Sequence, residues 1–390
     1  MYVNIAVLKE TKPHERRVAL VPAVVAGLVK LGAKLHMQTG AGEAIKFTDA
    51  SYHDVEFIQD RHALVRDADI VLGVNAPPLD VVDAMKEGAI LVSFIYEHQD
   101  PALVQRLLDK KITTFAMERV PRITRAQSLD ALSSQSALAG YYSVQLGSTA
   151  LARILPKITT AAGAIGPGHV LVMGLGVAGL EAVATAHRLG AVVEGYDVRP
   201  ETKEQVESLG ATFVDTGVDA TGKGGYAREL TPEEKTKVAT VLTKHIQGSD
   251  LVITTAAIPG KASPKLISRK QVAGMKPGAV IVDLSAEGGG NCEDSNPGHT
   301  ALVGLVTILA PLNVPSLLGE DASELYAKNQ YHLLELFVKD NIVTIDWSDE
   351  VLAKTCLTHA GKRTPDAVAP ARPVTPAKRA TPTKAAAKVA

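Results

Sequence analysis

At 390 residues the chain is longer than a single hydrophobic core usually grows, so two domains are expected. Hydrophobic residues make up 46% and charged residues 21%, which is globular composition, and a formal net charge of -1 with no stretch interleaving basic and aromatic residues argues against a nucleic-acid partner. Cys292 and Cys356 are far apart and the eleven histidines show no ligand spacing, so neither a disulfide framework nor a metal site is expected.

The chain opens with Tyr2 to Leu8 and then Lys9-Glu10, which lacks the basic start of a signal peptide and reads as a buried strand. Apolar runs of strand length follow over 70–74, 90–95 and 113–117, and an amphipathic stretch over 23–31 closes at Gly32. Asp100 before Pro101 predicts a capped helix carrying Leu103, Val104, Leu107 and Leu108. Residues 129–155, rich in Ala, Ser and Leu, predict a long helix joining two domains.

A second alternating series predicts a strand over 170–173, a helix over 177–189, a strand over 192–196, a helix over 201–209, and strands over 251–255 and 280–284. Residues 301–312 form the longest apolar stretch, too short to cross a bilayer, so no transmembrane segment is expected. After Ser323 a helical pattern through Tyr331, Leu334 and Phe337 predicts a return to the first domain. No fixed-period internal repeat is visible. The expected architecture is α/β: two Rossmann-like, doubly wound parallel-sheet domains separated by a nucleotide-binding cleft. The expected divisions are 1–132, 133–322, 323–363 for the return, and a disordered Ala/Pro/Lys tail over 364–390. That tail has too little apolar content to fold and reads as solvated chain.

The most informative segment is His169 to Gly179, a strand, a GxGxxG turn and a helix start in unbroken order. Gly174 permits the turn, Gly176 admits a pyrophosphate to the backbone, and Gly179 lets helix and strand pack closely. The next strand ends in Asp197, where a carboxylate would hold the ribose hydroxyls and repel a 2′-phosphate, so NAD is expected over NADP. Arg199 weakens that exclusion a little. Gly40-Ala41-Gly42 lacks the third glycine and reads as a turn. Cys292 has nothing nearby to lower its pKa.

Several stretches resemble the NAD(H)-binding soluble component of the proton-translocating transhydrogenases, in the family shared with alanine dehydrogenase. They include Pro121 to Asp130, Ser133-Ser134-Gln135, Ala139-Gly140-Tyr141, Gly174 to Gly179, Thr202 to Gly210 and Gly224 to Ala227. Ile258 to Lys261, Gly288 to Cys292 and Asn313 to Ser316 complete the match. The resemblance implies that Arg122, Gln127, Asp130 and Ser133 surround the nicotinamide half of the nucleotide. It implies further nucleotide contacts at Val177, Ala178, Val198, Arg199, Gly225, Tyr226 and Ala257. The Gly-rich stretch over 217–229 reads as a flap with Tyr226 folding over the ligand.

The same resemblance implies direct hydride transfer from NADH bound here to NADP held on a beta subunit. Proton translocation then falls to membrane subunits, and this chain sits peripherally on the cytoplasmic face of the inner membrane. It further implies a homodimer, joined through an exchanged hairpin within 154–169. The competing reading is an alanine dehydrogenase-like amino-acid dehydrogenase, in which the positions of Asn75 and Tyr96 hold a carboxylate-binding lysine and a catalytic histidine. Arg17 remains here, and His98 is the available substitute for the histidine. Gly73 and Asn75 also depart from the usual transhydrogenase wording. A third reading is a non-catalytic NAD sensor, which would not need the residues around the nicotinamide.

Overall fold

The computed structural model describes residues 2–219, 228, 230–258 and 260–364. Strands β1 (Val3–Val7), β2 (Ala33–Gln38), β3 (Val55–Ile58), β4 (Ile70–Leu72), β5 (Ile90–Ser93) and β6 (Thr113–Ala116) pair in parallel, in spatial order 3-2-1-4-5-6. A small antiparallel pair, β7 (Ile158–Thr160) and β8 (Gly163–Ile165), precedes the second sheet. That sheet comprises β9 (His169–Met173), β10 (Val192–Tyr196), β11 (Thr212–Phe213), β12 (Leu251–Thr254), β13 (Val280–Asp283), β14 (Thr300–Val303) and β15 (Val306–Leu309), in order 11-10-9-12-13-15-14. Only β14 runs antiparallel. After a short pair, β16 (Val338–Lys339) and β17 (Ile342–Val343), the chain adds β18 (Cys356–His359) and β19 (Lys362–Arg363) antiparallel to the β6 edge of the first sheet.

Both sheets are buried on two faces, as parallel strands under helices must be. Ile5 and Val7 enter one core and Ala6 and Leu8 the other. Val170 and Val172 are likewise separated from Leu171 and Met173. The predicted elements of the two series appear with ends shifted by a residue or two. The helix expected after Ser323 starts earlier, at Gly319. The apolar stretch over 301–312 is the β14–β15 pair, turning at Gly304, whose φ is 61°. Strands β2 and β3 carry Lys34, His36 and Glu56 on alternate positions, so their apolar signal is diluted.

A helix over Ala131–Ala150 starts with Ala131 in the first core and places Val144 in the second. Two glycines let it pack. A Cβ on Gly140 would lie 2.1 Å from the Ala178 carbonyl oxygen, and one on Gly147 would lie 2.5 Å from Leu251 Cδ1.

Although no fixed-period repeat is legible in the sequence, the two sheets share one frame. Asp69 before β4 accepts the Asn4 amide at 2.8 Å, and Asp250 before β12 accepts the His169 amide at the same distance. Lys86, four residues before β5, reaches Asp69 at 2.5 Å, and Lys276, four residues before β13, reaches Asp250 at 3.0 Å. Met85-Lys86-Glu87-Gly88-Ala89 thus corresponds to Met275-Lys276-Pro277-Gly278-Ala279, with Gly88 and Gly278 at φ of 77° and 80°. Insertions of different length between these points hide the period.

Asp250 is 6% exposed and is also paired with Arg153 at 3.1 Å. Burial pushes its carboxyl up, but the His169 amide and the Lys276 and Arg153 charges outweigh that and hold it below the usual range. A depressed folded pKa stabilises above the unfolded value and is lost as pH falls through the folded one. Asp250→Asn is therefore expected to lose about 1–3 kcal/mol at pH 7 in urea unfolding. The gap to the unmodified chain should close as pH drops below about 4; an equal loss at pH 3 would show that the charge is not the cause.

Candidate dinucleotide site

In an open sheet of this order the ligand crevice lies where neighbouring strands send their connections to opposite sides, here between the ends of β9 and β12. Gly174 turns the chain there at φ 96°, its amide donating to the Tyr196 carbonyl at 2.8 Å and its carbonyl accepting from Thr255 Oγ1 at 2.9 Å. A Cβ on Gly179 would lie 1.8 Å from the Gly174 oxygen, so only glycine fits. A Cβ on Gly176 would meet nothing within 4 Å; the backbone faces open space on that side. The helix Val177–Arg188 starts at this point with no side-chain cap, and Val177 is 44% exposed. Its first-turn N–H groups and dipole are thus available to an anion.

Asp197, at the end of β10, is fixed against the turn. Its Oδ2 accepts the Leu175 amide at 2.7 Å, and Oδ1 accepts the Arg199 amide and Nε, both at 2.9 Å. Val198 packs on the core beneath. Beyond β12, Ala257 is exposed, on an irregular segment held by Asn291, which pairs with Ala256 through N–H to Oδ1 at 3.0 Å and Nδ2 to O at 2.8 Å. Asn291 lies within the resembling stretch Gly288 to Cys292, yet only the structure gives it this task. Burial pushes the Cys292 thiol up to about 11, the Lys265 charge opposing it only in part.

Asp130 caps the joining helix. Its Oδ1 accepts the Ser133 amide at 2.9 Å, and its Oδ2 accepts the Ser133 hydroxyl at 2.6 Å. Ser133 precedes Gly140 by two turns, roughly 10 Å, and Gly140 touches Ala178, so this pair stands on the helix that packs beside the glycine turn. Arg122 and Gln127 lie exposed on the preceding segment, and neither side chain bonds a described residue. Its neighbour Arg125 is instead paired with Asp349, at 2.9 Å. Gly225 and Tyr226 lie outside the described residues, as do all of 220–227 and 229 in the stretch over 217–229.

Sequence reasoning misses a buried polar network between the sheets. Arg17, 7% exposed, donates to Glu15 through Nε at 2.8 Å and Nη2 at 2.7 Å, to Gln135 at 2.9 Å and to Asn313 at 3.2 Å. Asn75 Nδ2 donates to both Glu10 and Glu15 at 2.9 Å. Burial raises the carboxyl of Glu10. In Glu15 burial acts the same way, but the Arg17 and Asn75 bonds overcome it and leave the group at about 2. Asn313, in the left-handed region at φ 47°, also donates its amide to Glu287 at 2.8 Å. His98 is exposed and meets only the edge of the Tyr96 ring, at 6.3 Å, among the described residues. A run of charged residues between two hydrophobic stretches gives no sign that Glu10 and Glu15 are buried.

The chain matches the alanine dehydrogenase/PNT N-terminal domain over residues 6–139 and the C-terminal domain of the same family over residues 143–366. It is 43% identical over 372 residues to the first segment of the NAD(P) transhydrogenase subunit alpha of Rhodospirillum rubrum, covering 92% of this chain and 97% of that one. Its fold is similar to that of the transhydrogenase from Sinorhizobium meliloti, with a TM-score of 0.83 and 40% identity over 92% of this chain and 99% of that one. The likeness to the alanine dehydrogenase of Methanococcus maripaludis is lower, 31% over 298 residues and 74% of either chain. With both domains matched and this degree of identity, the chain belongs to the alanine dehydrogenase/PNT family, among the NAD(P) transhydrogenase alpha subunits.

Proposed function

We propose that the crevice between β9 and β12 binds NAD(H), and that hydride passes directly from this nucleotide to NADP on a partner beta subunit, with membrane subunits coupling the transfer to proton movement. The observation that carries this reading is the charge state of the first sheet's rim. Oxidising an amine or alcohol requires a group that accepts a proton, and an amino-acid substrate requires cations for its carboxylate. Here Arg17 is spent on Glu15, and the neighbouring Asn75 is a neutral amide bridging two carboxylates. Such a rim repels a carboxylate substrate. Transfer between two nicotinamide rings needs no proton acceptor, only two rings held face to face with water excluded.

In this reading Gly174, Gly176 and Gly179 with Val177 and Ala178 take the pyrophosphate, and Asp197 and Val198 the adenosine ribose, with Arg199 at the edge of that subsite. Ala257, Gly225 and Tyr226 line the ligand. Arg122, Gln127, Asp130 and Ser133 orient the nicotinamide end, which supports catalysis over a mere NAD sensor. The β7–β8 hairpin, exposed along both strands and carrying Ile158 and Ile165, is the proposed homodimer contact. No helix among the described residues is long and apolar enough to cross a membrane. In the proposed assembly the chain is held at the cytoplasmic face of the inner membrane by its partner subunits.

The unmodified chain is expected to bind NADH much more tightly than NADPH in a fluorescence titration; equal affinities would remove Asp197 from the ribose site. Shortening Gln127 to Asn retracts its amide by one methylene, so NADH affinity should change little. Transfer measured by rapid mixing with the NADP-binding partner should fall at least roughly tenfold, because orientation alone is lost. Undiminished transfer would exclude Gln127 from the mechanism. Reduction of pyruvate with ammonia by the chain alone would overturn the transhydrogenase reading altogether.

A further inference from the structure

The carboxylate assigned to the adenosine ribose is already saturated by the protein. An ionised carboxylate offers about four lone-pair positions. Leu175 N and Arg199 Nη2 reach Oδ2 of Asp197 at 2.7 and 3.0 Å, while Arg199 N and Nε both reach Oδ1 at 2.9 Å. Two of these donors are backbone amides that hold the turn. The other two belong to one side chain, and a ribose diol needs two acceptor positions. The diol and the Arg199 guanidinium therefore compete for the same lone pairs.

We propose that Arg199 is a built-in competitor of the nucleotide: it fills the ribose subsite of Asp197 in the unliganded chain and must swing out before adenosine ribose can bind. Affinity for NAD(H) and discrimination against NADP(H) are then set by this exchange, an inference that rests on the crevice binding NAD(H). The exposures identify the partner that moves. The Asp197 side chain is 7% exposed and held by backbone donors, whereas Arg199 is 25% exposed, on the solvent side of the pair. Because Arg199 is only two residues beyond Asp197, its displaced charge stays close to the ribose 2′ position. A nucleotide with a 2′-hydroxyl gains both carboxylate bonds. One with a 2′-phosphate meets the carboxylate at contact distance and has only the released guanidinium as compensation.

If the binding-competent fraction limits affinity, the apparent Kd equals the intrinsic one divided by that fraction. Removing the competitor should raise the association rate and leave dissociation almost unchanged. Arg199→Met keeps the apolar stem and removes the fork. Stopped-flow and equilibrium titration should show NADH binding tighter by roughly three- to tenfold, all of it in the association rate, with no gain for NADPH. Faster NADH dissociation with unchanged association would make Arg199 an ordinary nucleotide contact and overturn the proposal. Should Arg199→Met lower the melting temperature, Arg199→Lys, which keeps the charge but not the fork, is expected to tighten NADH binding by a smaller factor; unchanged binding there would also count against the competitor. Asp197→Asn separates the two levels. If it leaves NADH binding intact, the crevice assignment itself fails; if it weakens binding while Arg199→Met gives no tightening, only the competitor is lost.

Discussion

The close approach of the Gly140 backbone to the Ala178 carbonyl is the constraint on which the site depends. A side chain of any size there would meet that oxygen at 2.1 Å and drive the joining helix away from the helix that opens at the glycine turn. With glycine present, a helix rooted in the first core is laid directly on the helix that opens at the glycine turn. Asp130 and Ser133 thus stand at the start of the same rigid helix that packs beside the glycine turn. Placement by helices is more exact than placement by loops.

The buried network around Arg17 acts in a different way. Breaking one partner of a buried pair leaves an uncompensated charge, so such a group tolerates little change around it. Arg17 links the loop after β1 to Gln135 on the joining helix and to Asn313, and Asn313 is tied to Glu287 by its amide. The residues that hold Arg17 in place are therefore the same ones that tie the two halves together. Ser316 adds to this, accepting the Arg16 amide at 2.6 Å and donating to Glu15 at 3.1 Å.

Much of the fold and the core of the site are legible in the sequence, for physical reasons that differ by residue. The second series is readable because strands buried on both faces are continuously apolar, and because the requirements of the GxGxxG turn allow few other residues. The Asp100 cap follows equally local rules. Strands β2 and β3 are half polar, so pattern alone passes over them. The roles of Glu10, Glu15 and Gln135 arise from contacts across 60 or more residues, such as Asn75 to Glu15 and Arg17 to Gln135, and no local pattern encodes these. Arg122 and Gln127 stand out by resemblance alone, and the fold leaves them exposed.

The first sheet is also discontinuous in the chain. Its core needs Tyr326, Phe337 and Leu352, and Tyr326 donates to the Gly73 carbonyl at 3.1 Å, while β18 and β19 close its edge. The second sheet is complete once residue 309 has been made. During synthesis from the N-terminus, the first six strands must therefore wait, with apolar surface uncovered, until some two hundred further residues have emerged. The middle of the chain can condense first and present the joining helix as a template for the first sheet, so that the nucleotide crevice forms before the wall it faces.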